Sequence, residues 1–180
     1  MSVWVNKDRK GISLKITDAG FVDLAVALDA TPEQIDKAAK IAVSNVTRWA
    51  HRRVASLLSS VAKFPQDAIL RRTKTSIQTG YKKGAYGSVW IGLFPMSVAW
   101  LNPVQTPTGV QAGGRFFRSA FIVDSLHGNV FKRRTASRLP IDKQKIEFKD
   151  SLDPIFEQVS KEAAERFKKE LSQQLKWLTN

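Results

Sequence analysis

Between Val3 and Ile16 the apolar positions Val3, Val5, Ile12, Leu14 and Ile16 alternate with polar ones. Period two is the mark of a half-buried strand. Residues 18–20 read as a turn, and the apolar run at 21–28 fits either a strand or the first turn of a helix. The period then lengthens. Ile35, Ala39, Ala42, Val46, Ala50, Val54, Leu57 and Val61 recur at the spacing of one helical face. Thr31-Pro32-Glu33-Gln34 starts that helix: threonine can cap it, proline suits the first helical position, and glutamine completes a capping box. Arg48, His51 and Arg52 lie off the stripe and read as a solvated face. Pro65 sets the end of the helix, and residues 66–72 fit a second, short one.

The middle of the chain returns to period two. Residues 74–78 predict a strand, and 79–87 a turn-rich segment with Gly80, Gly84 and Gly87. Residues 88–94 predict another strand, with Val89, Ile91 and Leu93 on one face and Trp90, Gly92 and Phe94 on the other. Residues 96–101 are its expected partner after a turn at Pro95. The stretch 102–114, rich in proline, glycine and threonine, reads as a long loop, expected to be mobile in the isolated chain.

Three strands follow. The first, 115–123, sets Phe117, Phe121 and Val123 against Phe116, Arg118 and Ile122. A turn at 125–129 holds Gly128 and Asn129, residues that tolerate positive φ. The second strand, 130–134, runs into a basic loop, 133–138. In the third, 141–149, Asp142, Gln144, Ile146 and Phe148 alternate with Lys143, Lys145, Glu147 and Lys149. Asp153-Pro154 then opens a last helix with the stripe Phe156, Val159, Ala163, Phe167, Leu171, Leu175 and Leu178. Glu162 with Arg166, and Glu165 with Lys169, stand at favourable four-residue spacing. Two long amphipathic helices bracketing an antiparallel sheet predict an α+β fold, a single domain over residues 1–180.

Charge adds to this outline. The net charge is +13, and its distribution matters more than its size. Residues 1–62 carry nine basic and six acidic side chains, residues 63–149 fifteen and four, and residues 150–180 five and six. The excess therefore sits in the β-rich middle. Such a surface either attracts a polyanion or acidic partner or keeps the protein soluble. No apolar run is long enough to cross a membrane, since the best, 88–101, is broken by Gly92 and Pro95. No apolar run follows the charges at Lys7–Lys10, so no signal peptide is expected. The absence of cysteine removes disulfides and thiolate metal sites, and fits a reducing cytosol.

Candidate chemistry is sparse. Asp124, Ser125 and His127 are neighbours in one turn, whereas a nucleophile, base and orienter converge from separate segments. The histidines, His51 and His127, show no metal-ligand spacing. Asp142 with Glu147 and Lys149 has the letters of a metal-dependent nuclease core, but positions five apart on a regular strand face opposite ways. Neither a P-loop nor a dinucleotide fingerprint occurs. Arg115-Phe116-Phe117-Arg118 and Phe131-Lys132-Arg133-Arg134 interleave cations with aromatics, a pattern suited to phosphate attraction without base reading.

The order Arg115-Phe116-Phe117, Ala120-Phe121-Ile122, Gly128-Asn129-Val130-Phe131-Lys132-Arg133, Arg138-Leu139-Pro140-Ile141 and then a closing amphipathic helix resembles the phage minor tail protein Z family. These are the tail completion proteins of long-tailed phages and prophages. The resemblance covers residues 109–178 best and is general over 31–62. It implies a structural, non-enzymatic protein without cofactor or bound metal, at the head-proximal end of the tail. It further implies a ring of copies, hexameric to match the tail tube, between tail tube or terminator and the head–tail connector, on the path of phage DNA. Its place would be the virion, and the host cytoplasm during assembly. Arg115, Arg118, Lys132, Arg133, Arg134 and Arg138 are then the expected cationic cluster toward DNA or an acidic neck protein. A metal-dependent nuclease and a free-standing non-specific DNA-binding protein are the alternatives.

Overall fold

A computed structural model describes residues 2–7, 11–17, 30–80 and 84–179. The expected turn at 18–20 and the run at 21–28 lie outside the described residues. The fold is α+β, as the two periodicities predict.

A four-stranded antiparallel sheet forms the first layer. It contains β1 (Ser2–Lys7), β2 (Gly11–Thr17), β3 (Thr73–Gly80) and β4 (Gly84–Gly92), in the order β1-β2-β4-β3. The second layer is a pair of helices, α1 (Pro32–Ala62) and α3 (Leu152–Thr179). Helix α1 packs on β4 and β3, and α3 on β1 and β2. A short helix, α2 (Gln66–Leu70), links α1 to β3.

Helix α1 starts as its sequence dictates. The Thr31 side chain accepts from the Gln34 N–H, and the Gln34 side chain accepts from the Thr31 N–H. Lys63, in the left-handed conformation at φ 61°, ends it before Pro65. The buried face is built mostly from small residues, among them Ala38, Ala42, Val43, Val46, Ala50 and Val54. Small side chains let the helix approach the sheet closely. At Gly87 of β4 an added Cβ would stand 2.0 Å from Thr47 Oγ1. The far end of the stripe differs from expectation: Leu58 and Ala62 are buried, while Val61 is 52% exposed. At 3.6 residues per turn a face drifts over a long helix, and it has moved on by this point.

The two long helices run antiparallel. Gln34 donates to the Leu178 carbonyl at 2.6 Å, Asn45 to Glu170 at 3.3 Å, and Arg53 to Glu162 at 2.8 and 3.0 Å. Rising numbers on one helix meet falling numbers on the other. Phe156, Val159, Ala163, Phe167, Leu171 and Leu175 form the buried stripe of α3, as the spacing predicts. Full burial of a large apolar side chain contributes about 1.5–3 kcal/mol. The expected pairing of Glu162 with Arg166 is replaced. Glu162 reaches across to Arg53, and Arg166 pairs with Glu170 at 3.3 Å. Packing had brought a better-placed fork within reach of the carboxylate.

Residues 96–148 build a β-rich lobe, and here the structure corrects several expectations. The segment expected as a loop, 102–114, holds a hairpin of β6 (Val104–Thr106) and β7 (Gly109–Ala112). β7 then pairs with β8 (Arg115–Arg118). The glycines mark a tight turn: Gly113 and Gly114 take φ 54° and 74°, which a side chain resists. Residues 96–101 do not pair with 88–94. Met96–Ser97 is β5, joined to β12 (Lys145–Ile146), and Val98–Leu101 is a 3-10 turn. β4 reaches back to Gly84, so most of the expected turn segment 79–87 is paired strand.

The expected strand 115–123 is two strands in two sheets. Ser119 adopts φ 59°, and its N–H donates to the Thr108 carbonyl at 2.9 Å. Beyond this break, β9 (Ala120–Val123) pairs with β10 (Asn129–Arg133), which pairs with β11 (Ile141–Lys143). The expected third strand also divides at Gln144, although its alternation persists: Ile146 and Phe148 are buried while Lys143, Lys145, Glu147 and Lys149 are exposed. Gln105 ties the small sheets together, donating to the Gly109 carbonyl and accepting from the Ile122 N–H, both at 2.9 Å.

Candidate functional site: a cationic lobe with aromatic faces

The lobe carries all six residues of the expected cluster, and the structure divides them. Arg118 ends β8 and lines an open cleft of about 470 Å³ together with Phe121, between the Pro107-Thr108 turn and the Ser119 break. Arg133 ends β10, and its guanidinium lies 5.6 Å from the centre of the Phe121 ring. Phe121 thus touches the Arg133 guanidinium and shares a cleft with Arg118. Such a cation–aromatic contact holds a guanidinium in place and leaves its N–H groups available. Lys132 stands opposite Ala120 in the register and is exposed.

The other three sit apart. Arg115 begins β8 beside the Gly113-Gly114 turn, three residues and about 10 Å along the strand from Arg118. Arg138 is exposed in the loop that leads to β11. Arg134 is engaged by Asp142 through two hydrogen bonds, at 2.7 and 2.8 Å. That fork raises the guanidinium pKa and draws the Asp142 carboxyl below its ordinary value. Arg134 is thus the one member of the cluster that shares its charge with a carboxylate among the described residues. Among the described residues, Arg115, Arg118, Lys132, Arg133 and Arg138 have no ion-pair partner.

The residues weighed for catalysis are also placed. Asp124 and Ser125 lie in an exposed 3-10 turn, and His127 follows at φ 59°. The Asp142 carboxylate is turned to Arg134, and Glu147 is exposed beyond β12. Among the described residues no group of three His, Asp or Glu side chains is placed to hold a metal ion. None of the described helices is long and apolar enough to cross a membrane. His51 does not belong to a solvated face. Its Nε2 bonds the Thr73 hydroxyl, and burial, with Arg52 nearby, lowers its pKa.

A second set of cation–aromatic contacts escapes sequence reading. Arg71 lies 5.6 Å from the Trp100 ring and Lys74 5.9 Å from the Trp90 ring. Arg72 donates to the Phe94 and Pro95 carbonyls, bracing the turn after β4. The basic run 71–74 gives a hint in composition, but only the β3–β4 register places Lys74 opposite Trp90, and Trp100 reaches Arg71 from the turn after β5.

Comparison with protein-family models, with curated proteins and with solved structures finds no match to this chain.

Proposed function

We propose that this chain is a structural subunit of a phage tail, a tail completion protein at the head-proximal end. Copies form a ring, hexameric to match the tail tube, between tube or terminator protein and the head–tail connector. The ring assembles in the host cytoplasm and remains in the virion neck, with phage DNA passing its cationic lobe. The role needs neither catalysis nor a cofactor.

One observation carries this reading. The segments behind the family resemblance are neighbours in space: Ala120-Phe121-Ile122 and Asn129–Arg133 pair as β9 and β10, and Ile141 opens β11. On and beside that sheet, Arg118, Lys132 and Arg133 stand exposed without carboxylate partners among the described residues. Cations without base-reading geometry suit DNA that must slide past regardless of sequence.

The test is complementation of the encoding phage with an Arg118→Glu, Arg133→Glu variant. Tails are expected to assemble and particles to lose infectivity. Wild-type infectivity would remove the arginines from the mechanism. Because Arg134 is paired with Asp142, its reversal alone is expected to matter less.

A further inference from the structure

The four-stranded sheet has a second face, with a chemistry of its own. Along β4, Ala85, Gly87, Val89 and Ile91 are buried, the side on which α1 packs. Tyr86, Ser88 and Trp90 point the other way and remain partly accessible. The register extends this row across the sheet. Lys74 stands opposite Trp90, Ser76 opposite Ser88, and Ser88 opposite Lys15 of β2. Lys15 in turn stands opposite Trp4. Among the described side chains of this face there is neither a carboxylate nor an aliphatic group.

That composition decides between kinds of occupant. Aromatic side chains suit the centre of a protein interface as well, but lysine is depleted there, and here Lys15 and Lys74 border the aromatics. Single-stranded nucleic acid asks for aromatic faces under its bases and cations beside its phosphates. Tyr86 and Trp90 lie four residues apart on one strand, about 13 Å, enough to seat separate bases. Lys74 and Lys15 flank that strand on either side.

We infer that the face of the four-stranded sheet opposite α1 binds single-stranded nucleic acid without sequence preference. Bases stack on Tyr86 and Trp90, and phosphates meet Lys15 and Lys74. This inference stands apart from the tail reading, which rests on the other lobe.

The experiment uses the full chain and fluorescence anisotropy of a labelled oligothymidylate about fifteen nucleotides long, within the usual site size. A duplex of equal length is the comparison. The single strand is expected to bind more tightly than the duplex. Tyr86→Ala and Trp90→Ala each weaken it by roughly tenfold, with most affinity retained in Trp90→Phe. Lys74→Ala lowers the slope of log affinity against log salt by about 0.7. Lys74 is exposed, so that variant keeps the test decisive even where Trp90→Ala fails to fold. Arg118→Glu with Arg133→Glu leaves the preference for single strands intact. Equal binding of duplex and single strand, or aromatic variants that bind as the parent does, would overturn the inference. So would loss of self-association in Trp90→Ala with nucleic-acid affinity unchanged, which would assign the face to a neighbouring subunit.

Discussion

Gly87→Ala perturbs the contact that sets how closely α1 lies on the sheet. The new Cβ would stand 2.0 Å from Thr47 Oγ1, 3.1 Å from Val43 Cγ1 and 3.2 Å from Thr47 Cβ. Thr47 is fully buried, and its hydroxyl donates to the Val43 carbonyl at 2.7 Å. The side chain must leave its rotamer or the helix must lift. Overpacking of this kind costs about 1–3 kcal/mol. The lower entropy of alanine in the unfolded chain offsets about 0.4–1 kcal/mol of that. A net loss of about 1.3 kcal/mol corresponds to a fall in Tm of roughly 3–5 °C for a domain of this size. Urea unfolding of the parent, Gly87→Ala, Thr47→Ala and the double variant measures the coupling. Thr47→Ala removes the atom in closest conflict, so the double variant should recover about 1–2 kcal/mol relative to additivity. A Gly87→Ala protein as stable as the parent, or strictly additive losses, would refute the close approach.

Further predictions concern local chemistry. The lowered pKa of His51 means that the unfolded chain takes up the proton first, so stability should decline as pH falls below about 6.5. His51→Gln should flatten that part of the pH profile, as read by urea midpoints. The Arg53 hydrogen bond draws the Glu162 carboxyl below its ordinary value, so this contribution is present above the usual carboxylate pKa and lost in acid. Glu162→Gln should lower Tm slightly at pH 7 and make progressively less difference as the pH falls below the usual carboxylate pKa. Gly114→Ala meets no neighbour within 4 Å, yet φ 74° should cost about 1 kcal/mol in a urea titration, with Gly114→Asn milder.

The parts of the fold legible in the sequence are those whose signals are local. Thr31, Pro32 and Gln34 start α1 by chemistry contained in four residues, and the stripe of α3 needs only its own spacing. Alternation also gave the right faces for 141–148. Strand partners were another matter, because alternation says which side faces inward and not which neighbour lies alongside. Ser119 divides 115–123 with a positive φ that no glycine announces, so the pattern runs through a break unmarked. In 102–114 the prolines and glycines of two tight turns looked like one loop. Arg118 and Arg133 were both in the expected cluster, but the contact of Arg133 with Phe121, the cleft Phe121 shares with Arg118 and the pairing of Arg134 with Asp142 depend on how the strands are paired. The row that sets Lys74 of β3 and Lys15 of β2 beside the aromatics of β4 was hidden for the same reason.

The proposed tail role is tested most directly by a reconstruction of the neck of the phage particle to which the proposal assigns this chain. It should show copies of the chain in a closed ring at the head-proximal end of the tail, with Arg118, Lys132 and Arg133 lining the DNA channel. Particles that contain no copy of the chain, or a ring whose channel wall is made by some other surface, would contradict the proposal.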